Sequence, residues 1–281
     1  MDQEADAVAR INAAVRALDM KRVHEHLSEI AQREDDSGPD SRVYLCECSE
    51  DDWKGFLLAS ETTTEHLELE FDPKNLVWED NKLYVVECSS SVQSNFSRRL
   101  EEAVASATGT NFRDLQSHGA MFVDLPGFLK LQPSFSFGPA QEVEALGAEL
   151  PSGLQDWKQY HTIKGEVGVH RTWKELDQCA QGWQDFPGVK YVLCIRLSPS
   201  QSSKKKCEYK FHTINRKFPD VTVVPQLPPV NPIPIDGPAT YVTFDPHHSL
   251  GLSPVAKLPE GFNSQITIDL YGIVQALEQG E

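Results

Sequence analysis

Along residues 5–33, Val8, Ile11, Val15, Leu18, Val23, Leu27 and Ile30 recur every three to five positions with charged residues between them, the spacing of a helix that buries one face. The cluster Asp35, Asp36, Ser37, Gly38, Pro39 and Asp40 ends it. Residues 42–48 read as a strand through Val43 and Leu45, and 51–58 as a short helix with Trp53, Phe56 and Leu57 on one side. At 66–71, Leu67, Leu69 and Phe71 alternate with polar residues. At 82–88, Leu83, Val85 and Val86 predict a more buried strand.

A central helix follows over 92–107, with Ser89, Ser90 or Ser91 as its N-cap, Gly109 as its stop, and Phe96, Leu100 and Val104 as its buried stripe. Beyond it the pattern predicts strands at 120–125, 134–137, 162–169 and 189–197, with a helix over 172–184 between the last two. The segment 141–160 reads as an insertion opening on a helical turn at 141–146. After a polar loop at 198–206, residues 225–238 carry Pro225, Pro228, Pro229, Pro232, Pro234 and Pro238, which dictates extended or polyproline II backbone. A strand at 265–270 and a short helix at 273–277 close the chain. The expected organisation is an N-terminal helix and linker at 1–40 and one α/β domain at 41–281.

Composition narrows the classes. The chain has 281 residues, 40% of them apolar and 24% charged, which suits a globular protein with a sizeable core. No stretch approaches the ~20 apolar residues that span a bilayer, and the chain starts with Asp2, Glu4 and Asp6, not with a basic and then apolar leader. Secretion and membrane insertion are disfavoured, and an intracellular site, cytoplasmic or nuclear, is the expectation. Cys46, Cys48, Cys88, Cys179, Cys194 and Cys207 show no paired C-x-x-C spacing, so reduced thiols are expected. A net charge of −16 repels phosphate, so nucleic-acid binding needs a local patch.

Four segments, KLYVVECSSS (82–91), PSFSFGP (133–139), EVGVHRTWKELDQCAQGW (166–183) and the following VKYVLCIRL, together resemble the PD-(D/E)XK, or restriction-endonuclease-like, proteins found as uncharacterised reading frames in fungi and oomycetes. The resemblance covers residues 83–199. It implies a mixed central sheet flanked by helices, built on an αβββαβ core, with an N-terminal helix and strand extension and a C-terminal strand and helix extension. It also implies a proline-aspartate pair opening one strand and a glutamate on the next, the two carboxylates holding a divalent cation that activates water, with a lysine close by.

Glu166 matches the glutamate, but Ser134 stands where the aspartate belongs and Gly168 where the lysine belongs. A hydroxyl carries no charge and is a weak ligand for Mg²⁺. Two further departures are His170 and Cys179, at positions where the family often carries a serine and an acid. Replacement groups would have to migrate from elsewhere: Asp124, Glu101, Glu102, Glu142 or Glu144 as carboxylate, Lys164 or Lys174 as cation.

His170 and Cys179 suggest a base and a nucleophile, but Cys179 shares a helix stripe with Leu176 and Trp183, which favours a packed thiol. The pairs His24 with His26 and His247 with His248 lack metal-ligand spacing. Lys204, Lys205, Lys206 and Lys210, near Arg216 and Lys217, form a basic patch that suits a phosphate contact or a solvated loop.

The resulting expectation is a nuclease-like scaffold that has lost metal-dependent cleavage and acts by binding, chiefly to a protein, with no cofactor. Its degenerate positions are Glu166, Ser134 and Lys174. One alternative is a divergent endonuclease holding Mg²⁺ on Glu166 and Asp124. Another is a non-cleaving nucleic-acid binder using the basic patch.

Overall fold

A computed structural model describes residues 2–31, 42–61, 71–88, 90–128, 130–198, 206–214 and 230–279. The chain begins with two helices, α1 (Asp2–Ala17) and α2 (Met20–Ala31), where the periodicity predicts one. The break lies at Leu18 and Asp19: the Asp19 carboxylate accepts the Arg22 N–H at 3.3 Å and so opens a second helix. The buried face is continuous across the break, through Val8, Ile11, Val15, Val23, Leu27 and Ile30.

Next come β1 (Val43–Glu47), α3 (Glu50–Glu61), β2 (Leu76–Glu79) and β3 (Lys82–Val85), the strands forming a sheet in the order β1-β3-β2. The β2–β3 hairpin turns through Asp80 and Asn81, with φ of 50° and 60°, the left-handed pair that a two-residue hairpin turn requires. β2 is absent from the periodicity reading, because its Leu76, Val77 and Trp78 stand too close to the next strand to register as a separate run. The strand expected over 66–71 falls at 66–70 outside the described residues. Leu45, Trp53, Phe56, Leu83 and Val85 share one core with Val8, Ile11 and Val15, so the N-terminal helices dock on their own chain.

The next elements are α4 (Ser91–Thr108), β4 (Leu115–Ser117), β5 (Phe135–Pro139), β6 (Ile163–Gly168), α5 (Trp173–Trp183) and β7 (Tyr191–Arg196). α4 is capped by the Ser90 hydroxyl, which accepts the Val92 N–H, and stops at Gly109 with φ 78°. β8 (Glu208–Thr213) and β9 (Ile233–Pro234) complete a six-stranded sheet in the order β4-β5-β6-β7-β8-β9. β6 and β7 are parallel, joined by α5 as a crossover, and every other neighbouring pair is antiparallel. The fold is thus mixed α/β with a mixed central sheet, in the order helix, three strands, helix, strand across 91–196.

One expected strand fails. Residues 120–125 form no ladder, and β4 lies earlier at Leu115–Ser117. The apolar residues of 120–125 serve two cores, Phe122 packing with the N-terminal elements and Val123 and Leu125 with α5. In the proline-rich segment, Ile233 and Pro234 pair with the outer side of β8, where an edge strand tolerates proline; residues 225–229 lie outside the described ones.

β10 (Tyr241–Phe244), α6 (Pro246–Ser249), β11 (Ile266–Asp269) and α7 (Leu270–Glu278) finish the chain. β10 and β11 pair with each other, and with α7 they pack on α4.

Candidate functional site

Register assigns every side chain of the central sheet to one of two faces. Phe135, Phe137, Ile163, Val167, Leu193 and Ile195 point toward α4 and are buried among Phe96, Leu100 and Val104. Gly165 belongs to this face because the Phe135 ring lies over it; a Cβ there would come within 1.9 Å of that ring. The opposite face, beneath α5, carries Ser136, Lys164, Glu166, Lys210 and His212 among Val192 and Cys194. All five of those polar side chains are buried.

Glu166 is 1% exposed and both carboxylate oxygens are engaged. The Trp183 indole donates to Oε1 at 2.7 Å, and the Arg171 guanidinium donates to Oε2 at 3.0 Å. Arg171 also donates to the Lys74 carbonyl, and reaches the Cys179 sulfur at 3.7 Å. Burial pushes the Glu166 carboxyl above its ordinary range, while Arg171, the indole and Lys164 pull it back. Burial acts to lower the Arg171 pKa, but the surrounding Cys179, Glu166, Glu87 and Glu175 outweigh it and keep the guanidinium charged.

Ser134, just before β5, lies beside Glu166: its Oγ is 3.5 Å from Oε2 and accepts the Val167 N–H at 3.0 Å. The two positions matched by resemblance are therefore neighbours. Lys174 is not with them. It lies on the exposed stripe of α5 with Gln178, while Leu176, Cys179, Ala180 and Trp183 face inward toward Glu166.

Asp124 is held between two lysines, Lys54 at 2.5 Å and Lys130 at 2.6 Å. Burial raises its pKa, but the two ammonium groups prevail and hold it below the ordinary carboxylate range. A magnesium site built from Glu166 and Asp124 does not fit these residues: Glu166 already has an arginine and an indole on its oxygens, and Asp124 has two lysines. Among the described residues, no group of three or more His, Cys, Asp or Glu side chains is placed to hold a metal ion.

The basic patch also divides. Lys204 and Lys205 lie outside the described residues, and Lys206 is exposed and paired with Glu208 at 3.0 Å. Lys210, expected at the surface, is buried: its ammonium reaches both oxygens of Asp177 at 2.9 and 2.8 Å and lies 4.6 Å above the Trp173 ring. β8 alternates, and Lys210 falls on its inner side beneath α5.

Of two further buried groups, Glu87 escapes the sequence reading, whereas Lys164 is one of the replacement cations named there. Glu87 follows β3 and is completely buried; it accepts the N–H groups of Val169 and His170 at 2.7 and 3.0 Å, and meets the His170 ring at Nδ1. It thus ties the end of β3 to the turn between β6 and α5. The signal for it was a lone acid after the apolar run Leu83, Val85 and Val86. Lys164 is 1% exposed, with its ammonium 2.9 Å from His161 Nδ1 and 4.4 Å from the Trp183 ring. His161 Nε2 lies 2.9 Å from the Lys158 carbonyl, so that nitrogen carries the proton and Nδ1 accepts from Lys164. Burial lowers the Lys164 pKa to about 7, against a smaller upward pull from Glu166.

Cys179 is the packed thiol its stripe predicts; burial and then Glu166 push its pKa up to about 12, which removes it as a thiolate nucleophile. No helix among the described residues is long and apolar enough to cross a membrane.

A cleft of about 1060 Å³ runs along α5, lined both by its exposed stripe and by the buried Arg171, Cys179 and Lys210. Its floor includes Lys174 and Gln178, one wall is the β2–β3 hairpin at Trp78 and Asp80, and the other is formed by His212 and Pro232. Glu166 does not line it. Comparison with family models, curated proteins and solved structures finds no match.

Proposed function

We propose that the chain is a nuclease-like scaffold on which metal-dependent cleavage has been replaced by a structural ion pair, and that it acts by binding a protein partner. The observation that carries this reading is the state of the Glu166 carboxylate. An arginine and an indole occupy the oxygens that a dication would need, and Arg171 brings a permanent positive charge to that position. Displacing Arg171 would leave a buried guanidinium without its anion, at a cost of about 3–5 kcal/mol.

The element order across 91–196, with two parallel strands around the α5 crossover, supports the resemblance. The cleft along α5 supports binding. A carboxylate sealed by Arg171 and Trp183, with a groove alongside the same helix, suits a module that docks something.

The test is calorimetry of the full chain with Mg²⁺ and with Mn²⁺, together with incubation with single- and double-stranded DNA and RNA. The expected result is no metal-binding heat and no cleavage. Cleavage that is lost in both Glu166→Ala and the isosteric Glu166→Gln, with folding checked by circular dichroism, overturns the reading.

A further inference from the structure

The cleft over α5 has an unusual wall. Among the described residues β2 is the outermost strand of its sheet, paired on one side with β3, and its Val77, Trp78 and Glu79 line the cleft. In a hairpin closed by a two-residue turn, the pairs Glu79 with Lys82 and Val77 with Tyr84 exchange backbone bonds. The N–H and C=O of Trp78 therefore point away from β3, and among the described residues no strand pairs with them. The Trp78 indole donates to the Cys48 carbonyl at 2.8 Å, which fixes the strand in place.

The charges of the cleft are unevenly satisfied. Arg42 pairs with Glu79, Lys130 with Asp124, Arg171 with Glu166, and Lys210 with Asp177. That leaves Lys174 as a lining cation with no ion pair among the described residues, against Glu50 at the start of α3 and Asp80 of the hairpin turn, two acids in the same condition. The chain as a whole carries −16. The apolar lining is dispersed, with Val77 on the strand and Phe128 and Leu131 from the segment before β5, which suits side chains that alternate along an extended backbone.

We infer that the cleft accepts an extended, basic segment of a partner protein, which adds to the open edge of β2 and lies across the exposed stripe of α5. This rests on the reading of the chain as a binding module. Backbone bonds to Trp78 set the register. Basic side chains meet Glu50 and Asp80, and apolar ones turn toward Phe128 and Leu131. A volume of about 1060 Å³ suits a short peptide segment. Among the described lining residues a nucleic acid would meet two unpaired acids with one unpaired lysine to offset them.

The test is selection of a phage-displayed library of random nonapeptides on the full chain, followed by fluorescence polarisation with the selected peptide. Enrichment of lysine or arginine at alternating positions is expected. Glu50→Gln with Asp80→Asn weakens binding about tenfold, since Asn tolerates the left-handed backbone of position 80. Lys174→Glu strengthens it several-fold, and backbone N-methylation of the peptide abolishes it. Failure to enrich basic sequences, equal binding by the N-methylated peptide, or tighter binding of a 20-nucleotide single-stranded DNA or RNA overturns the inference. Glu166-dependent cleavage would instead overturn the binding-module reading and leave the peptide measurements standing, so the two failures are distinguishable.

Discussion

The two faces of β6 use neighbouring residues for opposite purposes. Ile163 and Val167 face α4 and join an apolar core with Phe96, Leu100 and Phe137. Lys164 and Glu166 face α5 and are just as deeply buried, yet they are held by a histidine, an arginine and an indole. The apolar face is stabilised by area removed from water, roughly in proportion to that area. The charged face must recover a desolvation cost through particular partners, so its stability depends on pairs, not on area.

The largest test of this difference is Arg171→Met, which strands a buried carboxylate and is expected to lose about 3–5 kcal/mol in chemical denaturation. Phe137→Ala on the other face is expected to lose a similar amount, about 3–5 kcal/mol, by opening a cavity. The two losses should respond differently to a second change. Arg171→Met combined with Glu166→Leu recovers most of the stability, because removing both charges removes the desolvation cost, although the Trp183 N–H is left without its acceptor. No polar substitution on the α5 side rescues Phe137→Ala. If the double variant is no more stable than Arg171→Met alone, the pairwise account of the charged face is wrong.

A smaller effect separates the faces by pH. Lys164 has a folded-state pKa of about 7 against an ordinary 10.5, so between those values the unfolded chain binds the extra proton. Stability therefore rises with pH across that window, by about 1.4 kcal/mol per unit, and the slope vanishes below about pH 7, where both states are protonated. Glu166 faces this amine from its own strand, His161 from the turn before it, and the Trp183 and Phe186 rings from α5 and its following turn. Comparing wild type with Lys164→Met cancels the contribution of the buried thiols. The wild type should gain about 2 kcal/mol relative to the variant between pH 7 and 8.5; parallel pH profiles would show that Lys164 is charged in the folded protein.

The same contrast explains what the sequence discloses. α4, α5, β6 and β7 are legible because their apolar residues recur at the helical or strand period, and Ser90, Gly109 and Thr172 mark helix ends. The adjacency of Ser134 and Glu166 follows from reading 134–137 and 162–169 as neighbouring strands. Partners on the charged face are not legible in this way. Arg171 is five residues from Glu166 and Trp183 seventeen, and nothing in the spacing says that both turn inward. Lys210 reads as part of a basic run because a lysine on a strand has the same letter on either face; only the register with Cys194 assigns it to the interior. β2 is not legible because its apolar residues stand close to β3 and the turn between them uses Asp80 and Asn81, with no glycine to mark it.

The smallest effect lies at the rim of the charged face. From α5, Trp173 and Asp177 are four residues apart and meet Glu208 and Lys210, two apart on β8; four helical residues rise about 6 Å and two strand residues about 6.6 Å, so the rungs match. Asp177 is half exposed, its side chain at 46%, while that of Lys210 is at 8%. Asp177→Asn keeps an acceptor for the ammonium and leaves the Trp173 ring in place, so the expected loss is about 1 kcal/mol, well below that of Arg171→Met. It should shrink in 1 M salt, because solvent reaches one partner, whereas the Arg171→Met loss should not. Equal salt sensitivity at both positions would mean that water penetrates beneath α5 as far as Glu166, and the distinction between a sealed pair and a rim pair would fail.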